Sequence, residues 1–189
     1  MNAVALELPA VLPDIEFAPW QVVRVGECNP QTIVDRLDVF GVTLSESARQ
    51  CILSEHFKRS RTPHDVELYC EPIERLWPEK LDQDPTFRQV LSQIRHRGYL
   101  HCPHEAAALA AIMGAQRDNT PFRFMMEPFL TREVNRPVVL YMSTNIRCTK
   151  DTVPPRGRAL EVDWADLDKR MWLRTSHVVF AASYSLLAV

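Results

Sequence analysis

Glycine is scarce in this chain of 189 residues, which has 5, whereas average usage near 7% would give roughly 13. The five stand apart at Gly26, Gly41, Gly98, Gly114 and Gly157, so no G-x-G-x-x-G, G-x-x-x-x-G-K-[ST] or G-x-S-x-G can be written. This removes the motif-based case for dinucleotide, P-loop and nucleophile-elbow chemistry, all of which need glycines at fixed offsets. Cysteine is unpatterned too. Cys28, Cys51, Cys70, Cys102 and Cys148 are odd in number, far apart and without a C-x-x-C, which argues against a disulfide framework and a cysteine-only zinc site. Long apolar runs are missing as well, since residues 106–113 and 178–189 fall far short of the roughly 18 residues that span a bilayer. Residues 1–12 hold no Lys or Arg and carry Glu7, so they lack the basic start of a secretory leader. The expectation is a cytoplasmic protein without a membrane partner.

What is present is the composition of a soluble globular domain, 46% apolar and 24% charged, with no internal repeat or low-complexity segment. The near-neutral net charge of −2 hides a division. Residues 1–84 carry 15 acidic against 8 basic side chains, a net of −7, and residues 85–189 carry 9 against 14, a net of +5. Only Lys58, Lys80, Lys150 and Lys169 are lysines, so arginine dominates the 22 basic residues. Arginine suits bidentate contact with carboxylate or phosphate, although most surface arginines only solvate the fold.

Pro9, Pro13 and Pro19 break up the start of the chain, so residues 1–19 are expected as an extended arm and 20–189 as a single domain, helix-rich over 29–115 and strand-rich over 120–189. Asn29-Pro30 caps a helix whose apolar stripe is Ile33, Val34, Leu37 and Phe40, with Gly41 closing it. Thr43 and Glu46 have capping-box spacing for a second helix running to the basic residues 58–61. Residues 64–76 suggest a short third helix, weakened by Pro72. Asp84-Pro85 opens a helix carrying Phe87, Val90, Leu91 and Ile94, which stops at Gly98. Cys102-Pro103 opens the next, where residues 106–113 are apolar all round, the mark of a buried helix. After Pro121, residues 122–130, 138–143 and 177–182 read as strands, with a short helix near 164–171 and residues 20–25 as an extra strand. The expected fold class is α+β, a helical N-terminal half packed on a small, largely antiparallel C-terminal sheet.

One segment concentrates chemically capable groups. His101, Cys102, Pro103, His104 and Glu105 are consecutive, and His96 lies five residues before them, so three of the 6 histidines fall in one short stretch. His101 and His104 are the candidate ligands of a divalent metal such as zinc, with Glu105 and His104 as candidate acid/base groups. Two imidazoles are not a site, however, and the spacing matches no zinc motif. The plainer alternative is structural: Glu105 complements the helix dipole and the histidines satisfy backbone groups in a half-buried loop. Cys102 beside a helix start is either a reactive thiol or, more commonly, a small buried residue. A second group, Arg147, Lys150, Arg156 and Arg158, falls between strands and forms the candidate ligand-binding loop. With Phe122, Phe124, Phe129 and Tyr141 nearby, phosphate contact plus base stacking is physically available, although core positions are the commoner fate of such aromatics.

Three readings follow. The first is a non-catalytic binding or regulatory domain that recognises a charged protein partner, or a second copy of itself, through acidic helical or basic loop surfaces. The second is a hydrolase-like enzyme centred on His101, His104 and Glu105. The third is RNA or single-stranded DNA binding through the arginine loops. Helix-turn-helix DNA binding is excluded at residues 30–57 by acidic charge and at 85–113 by burial of the second helix.

Overall fold

A computed structural model describes residues 17–77, 79, 81–113, 121–130, 136–143, 158–170 and 172–182. Among them the first strand is β1 (Gln21–Val25), followed by α1 (Pro30–Val39), β2 (Val42–Leu44), α2 (Glu46–Leu53) and β3 (His64–Pro72). A 3-10 turn (Ile73–Leu76) leads to α3 (Phe87–His96) and α4 (His104–Met113). The remaining strands are β4 (Phe122–Phe124), β5 (Phe129–Leu130), β6 (Pro137–Ser143), β7 (Arg158–Trp164) and β8 (His177–Ala181). Seven strands run in the order β1-β3-β8-β4-β6-β7-β2, and the short β5 pairs with β6 beyond the end of β4. The pairs β2 with β7 and β4 with β8 are parallel and the others antiparallel, so the sheet is mixed.

The architecture is α+β, but not a helical N-terminal half on a small C-terminal sheet. β1, β2 and β3 all belong to the first half of the chain, and the sheet is large and spans the sequence. The expected third helix at 64–76 is instead the nine-residue β3 followed by the 3-10 turn. Val66 and Leu68 face inward while Asp65 and Glu67 face solvent, which is a two-residue period and satisfies a strand. The expected helix near 164–171 is absent from the described residues: Trp164 ends β7, Ala165 N donates to the Pro137 carbonyl at 2.8 Å, and residues 166–170 are turn and irregular backbone. Residues 122–130 divide into two strands, because residues 125–128 leave the ladder.

The helices form for the reasons their ends suggest. Asn29 accepts a hydrogen bond from Thr32 N and stands before Pro30 at the first position of α1, a cap whose loss costs about 1 kcal/mol. The second helix is capped by Ser45, two residues after the expected Thr43, because residues 42–44 are drawn into β2. It also ends early, at Leu53, where Ser54 is extended and closes on the Cys51 carbonyl. Residues 58–61 therefore lie in a loop and do not complement that helix end. In α3 the cap is Thr86, with a complete capping box to Gln89.

The sheet curls around α4, which touches β1 near one edge and β6 and β7 near the other. Residues 106–111 are buried on every side of that helix. Five of the six are alanines, whose small side chains let the backbone approach both the sheet and α1. Phe17, the first described residue, is buried between Tyr99 and Phe180, under the guanidinium groups of Arg75 and Arg97. Residues 1–16 of the expected arm lie outside the described residues. No described helix is long and apolar enough to cross a membrane.

Gly26, just after β1, has φ +87°, and a Cβ there would come within 2.3 Å of the Thr62 carbonyl oxygen. Gly41 has φ +69° with open space around the same position. Gly41→Ala is expected to cost the left-handed backbone penalty of about 1–2 kcal/mol. Gly26→Ala adds a backbone clash and should cost distinctly more. Urea midpoints of the two variants check this, and equal losses would contradict the close approach of residue 62 to Gly26.

Candidate functional site

The start of α4 lies on the wall of a pocket of about 340 Å³ lined by Val25, residues 58–60, His64, residues 101–105 and Glu127. His101, His104 and Glu105 are thus brought to one place, but they meet different surroundings.

Glu105 is fully buried. Its Oε1 accepts from Gly26 N at 2.8 Å and its Oε2 from Ser60 N at 3.0 Å. A carboxylate with no water contact is stable only when its lone pairs are met, and two charge-assisted bonds of about 1.5–3 kcal/mol each do so here. Both donors belong to connections, the turn after β1 and the loop after α2, so the carboxylate ties two irregular segments to the helix.

His104 is 4% exposed and acts in the same manner. Its Nδ1 accepts from Lys58 N at 3.2 Å, which places the ring proton on Nε2, donated to the Glu127 carbonyl at 2.8 Å. The ring packs 4.3 Å from Phe129 and 5.9 Å from Phe57, centroid to centroid. Burial, the largest cause, holds its pKa below the ordinary imidazole value, with bonds to backbone and Glu127 opposing. It is a neutral imidazole with both nitrogens engaged.

His101 differs. Its Nε2 is buried without a hydrogen-bond partner among the described residues. Burial and then Arg95 push its pKa down, while Glu127 pulls it up. Leaving such a nitrogen unmet costs about 1–3 kcal/mol. His64 stands on the same wall, its Nδ1 2.9 Å from the Thr62 carbonyl and 3.3 Å from Ser60 Oγ. Cys102 is buried and burial pushes its thiol well up, so it is not a thiolate. Among the described residues no three His, Cys, Asp or Glu side chains are placed to hold a metal ion.

At the mouth, the Lys58 ammonium pairs with the Glu127 carboxylate, both side chains being mostly exposed. Lys58 is the larger influence holding the Glu127 pKa below the usual carboxylate range. Arg59 donates to the Cys28 carbonyl at 2.8 Å, and both Arg59 and Arg61 are exposed. Sequence reasoning placed these basic residues at a helix end and passed over Glu127. The signal that pointed here was the local charge of residues 58–61; what hid it was the distance along the chain to α4.

Of the basic-loop residues, Arg147, Lys150 and Arg156 lie outside the described residues. Arg158 opens β7, and its Nη1 donates to the Ile112 carbonyl at 3.2 Å, covering an end group of α4. Phe122, Phe124 and Phe129 are core residues. Arg123 lies over both the Tyr141 and Trp172 rings and donates to Asp163 at 2.6 Å, so Tyr141 already faces a cation of its own fold. Comparison with protein-family models, curated proteins and solved structures finds no match.

The neutral histidines carry a pH signature. The unfolded chain takes up a proton at each near pH 6.5, whereas the folded chain resists it at His101 and His104. The unfolded state therefore binds more protons as pH falls below about 6.5, and stability drops, by at most about 1.4 kcal/mol per pH unit for each histidine. Urea unfolding at pH 7.5 and 5.5 should show lower stability at 5.5, with a smaller difference in His104→Leu. A midpoint that stays level or rises on acidification would contradict the neutral assignment.

Proposed function

We propose that this protein is a non-catalytic binding protein that holds an acidic segment of a partner protein at the pocket before α4, on the basic loop at residues 58–61. The observation that carries the reading is a division of labour within one site. The two acid/base candidates at the start of α4, His104 and Glu105, are taken up by backbone partners. The cations beside them, Lys58, Arg59 and Arg61, stay exposed. General acid/base catalysis needs a group within reach of substrate and free to exchange its proton, which neither His104 nor Glu105 is in this arrangement.

An acidic partner is favoured over a basic one by the local charge balance. Several acidic side chains of the first 84 residues already have a cation of their own stretch: Asp38 has Arg49, Glu71 has Arg75, and Asp65 and Glu27 have Arg24. On the loop at residues 58–61 the exposed charges are three cations, and Glu127 is the exposed carboxylate of the pocket lining. Phe122, Phe124 and Phe129 are buried and offer no face for bases to stack on, which weighs against single-strand nucleic-acid binding.

Fluorescence anisotropy with labelled hexaglutamate and hexalysine tests this. Hexaglutamate should bind with an affinity that falls as salt rises, and the combined Lys58→Glu, Arg59→Glu and Arg61→Glu variant should weaken it by about tenfold or more. Equal binding of hexalysine, or undiminished binding by the folded variant, would overturn the proposal.

A further inference from the structure

A second pocket, of about 500 Å³, shares no lining residue with the one before α4. Its size falls within the roughly 300–1,000 Å³ of small-molecule sites. One wall is α3, where Gln89, Ser92 and Gln93 stand at i, i+3 and i+4 and so share a helix face, with neighbouring Cβ atoms about 5–6 Å apart. Another is Trp77, which follows the 3-10 turn, half-buried and packed against the core. The connection into α3 brings Asp82, Gln83 and Asp84 to the same space.

The fold holds these walls in place. Gln93 Nε2 donates to the Leu76 carbonyl at 2.6 Å, which ties α3 to the residue before Trp77. Gln89 Oε1 accepts from Thr86 N at 2.8 Å. Asp84 Oδ1 accepts from Arg174 N at 2.9 Å, and Arg174 Nη1 donates to the Leu81 carbonyl at 2.6 Å, so the connection is fixed at both Leu81 and Asp84. Three lining side chains thus each spend one polar atom on the fold. Among the described residues the other atom makes no bond: an amide donor on Gln89, an amide acceptor on Gln93 and a carboxylate acceptor on Asp84. Gln89 is exposed, and neither the Gln93 oxygen nor the Asp84 oxygen is shut from solvent. A side chain already anchored at one end loses little freedom when its other end meets a ligand.

The lining favours a ligand without net charge. Its charged members are Asp82, Asp84 and Arg170, of both signs, so neither an anion nor a cation meets a surface of opposite charge alone. Seven of the ten lining side chains are polar and one is aromatic. A flat base would find a single stacking face there. A pyranose ring, apolar on its C–H face and edged by hydroxyls that both donate and accept, matches the tryptophan and the mixed polar atoms together. We propose that this pocket binds a neutral saccharide, its C–H face against Trp77 and its hydroxyls on Gln89, Gln93 and Asp84. This site is independent of the acidic-partner reading.

The test adds cellobiose, a neutral disaccharide, to the full chain and follows the indole N–H resonances of its 4 tryptophans in 15N spectra. The Trp77 resonance, assigned with Trp77→Phe, should move while those of Trp20, Trp164 and Trp172 stay, and the affinity should not change with added salt, since no ion pair forms. Trp77→Ala should weaken binding about tenfold through loss of the stacking face. Because Trp77 also packs on the core, Ser92→Trp serves as the second variant: it alters an exposed position of α3, fills the pocket and should abolish binding. No binding of cellobiose, binding that leaves the Trp77 resonance in place, or undiminished binding by folded Ser92→Trp would overturn the proposal. Adenosine, spermidine and citrate are the competing classes, and tighter binding of any of them than of cellobiose assigns the pocket to a base, a cation or an anion and overturns the saccharide.

Discussion

A carboxylate shut away from water governs the arrangement at the centre of this fold. Glu105 lies in the first turn of α4, where the helix dipole favours negative charge, and its two oxygens are met by N–H groups of Gly26 and Ser60. An ionised group left unmet there would cost several kcal/mol, so these two segments are not free to wander from the helix. The close approach of residue 62 to Gly26 follows from the same clamp. His104 extends it by one residue to Lys58 and across the pocket to Glu127. Two consecutive polar side chains at the start of a buried helix thus organise four backbone positions that have no ladder of their own to hold them.

This arrangement explains why a pocket forms here. The loop after α2 has no regular hydrogen-bonded partner and carries three cations in four residues, which would repel one another if packed against an apolar surface. Anchoring its backbone at Lys58 and Ser60 leaves the charged side chains in solvent and the uncharged atoms on the wall. The histidines then serve as hydrogen-bonding spacers. His101, just ahead of the helix, keeps its Nε2 without a partner among the described residues.

Parts of this were readable in the amino-acid order and parts were not. Asn29-Pro30 and the apolar stripe behind it marked α1, and the unbroken apolar run after Glu105 marked α4 as interior, because local capping chemistry and periodicity decide both. The strands at residues 42–44, 64–72 and 158–164 escaped. β2 has three residues and is stabilised by parallel pairing with β7, more than a hundred positions away. β3 carries Pro72 and polar residues on its exposed side, so its two-residue period is short and easily taken for irregular structure. The cluster of His101, His104 and Glu105 stood out by its spacing, but its roles depend on backbone groups 46, 45 and 79 positions distant, which no local pattern reveals. The structural alternative for Glu105 and His104, satisfaction of backbone groups, describes what they do.

The most direct measurement of the clamp is amide hydrogen exchange, residue by residue, along the loop after α2. Ser60 N, bonded to the buried carboxylate, should exchange as slowly as the amides of α4, while Arg61, one position further in the same exposed loop, exchanges rapidly. Rapid exchange at Ser60, indistinguishable from Arg61, with α4 still protected, would show that Glu105 does not hold the loop and would remove the basis of the site.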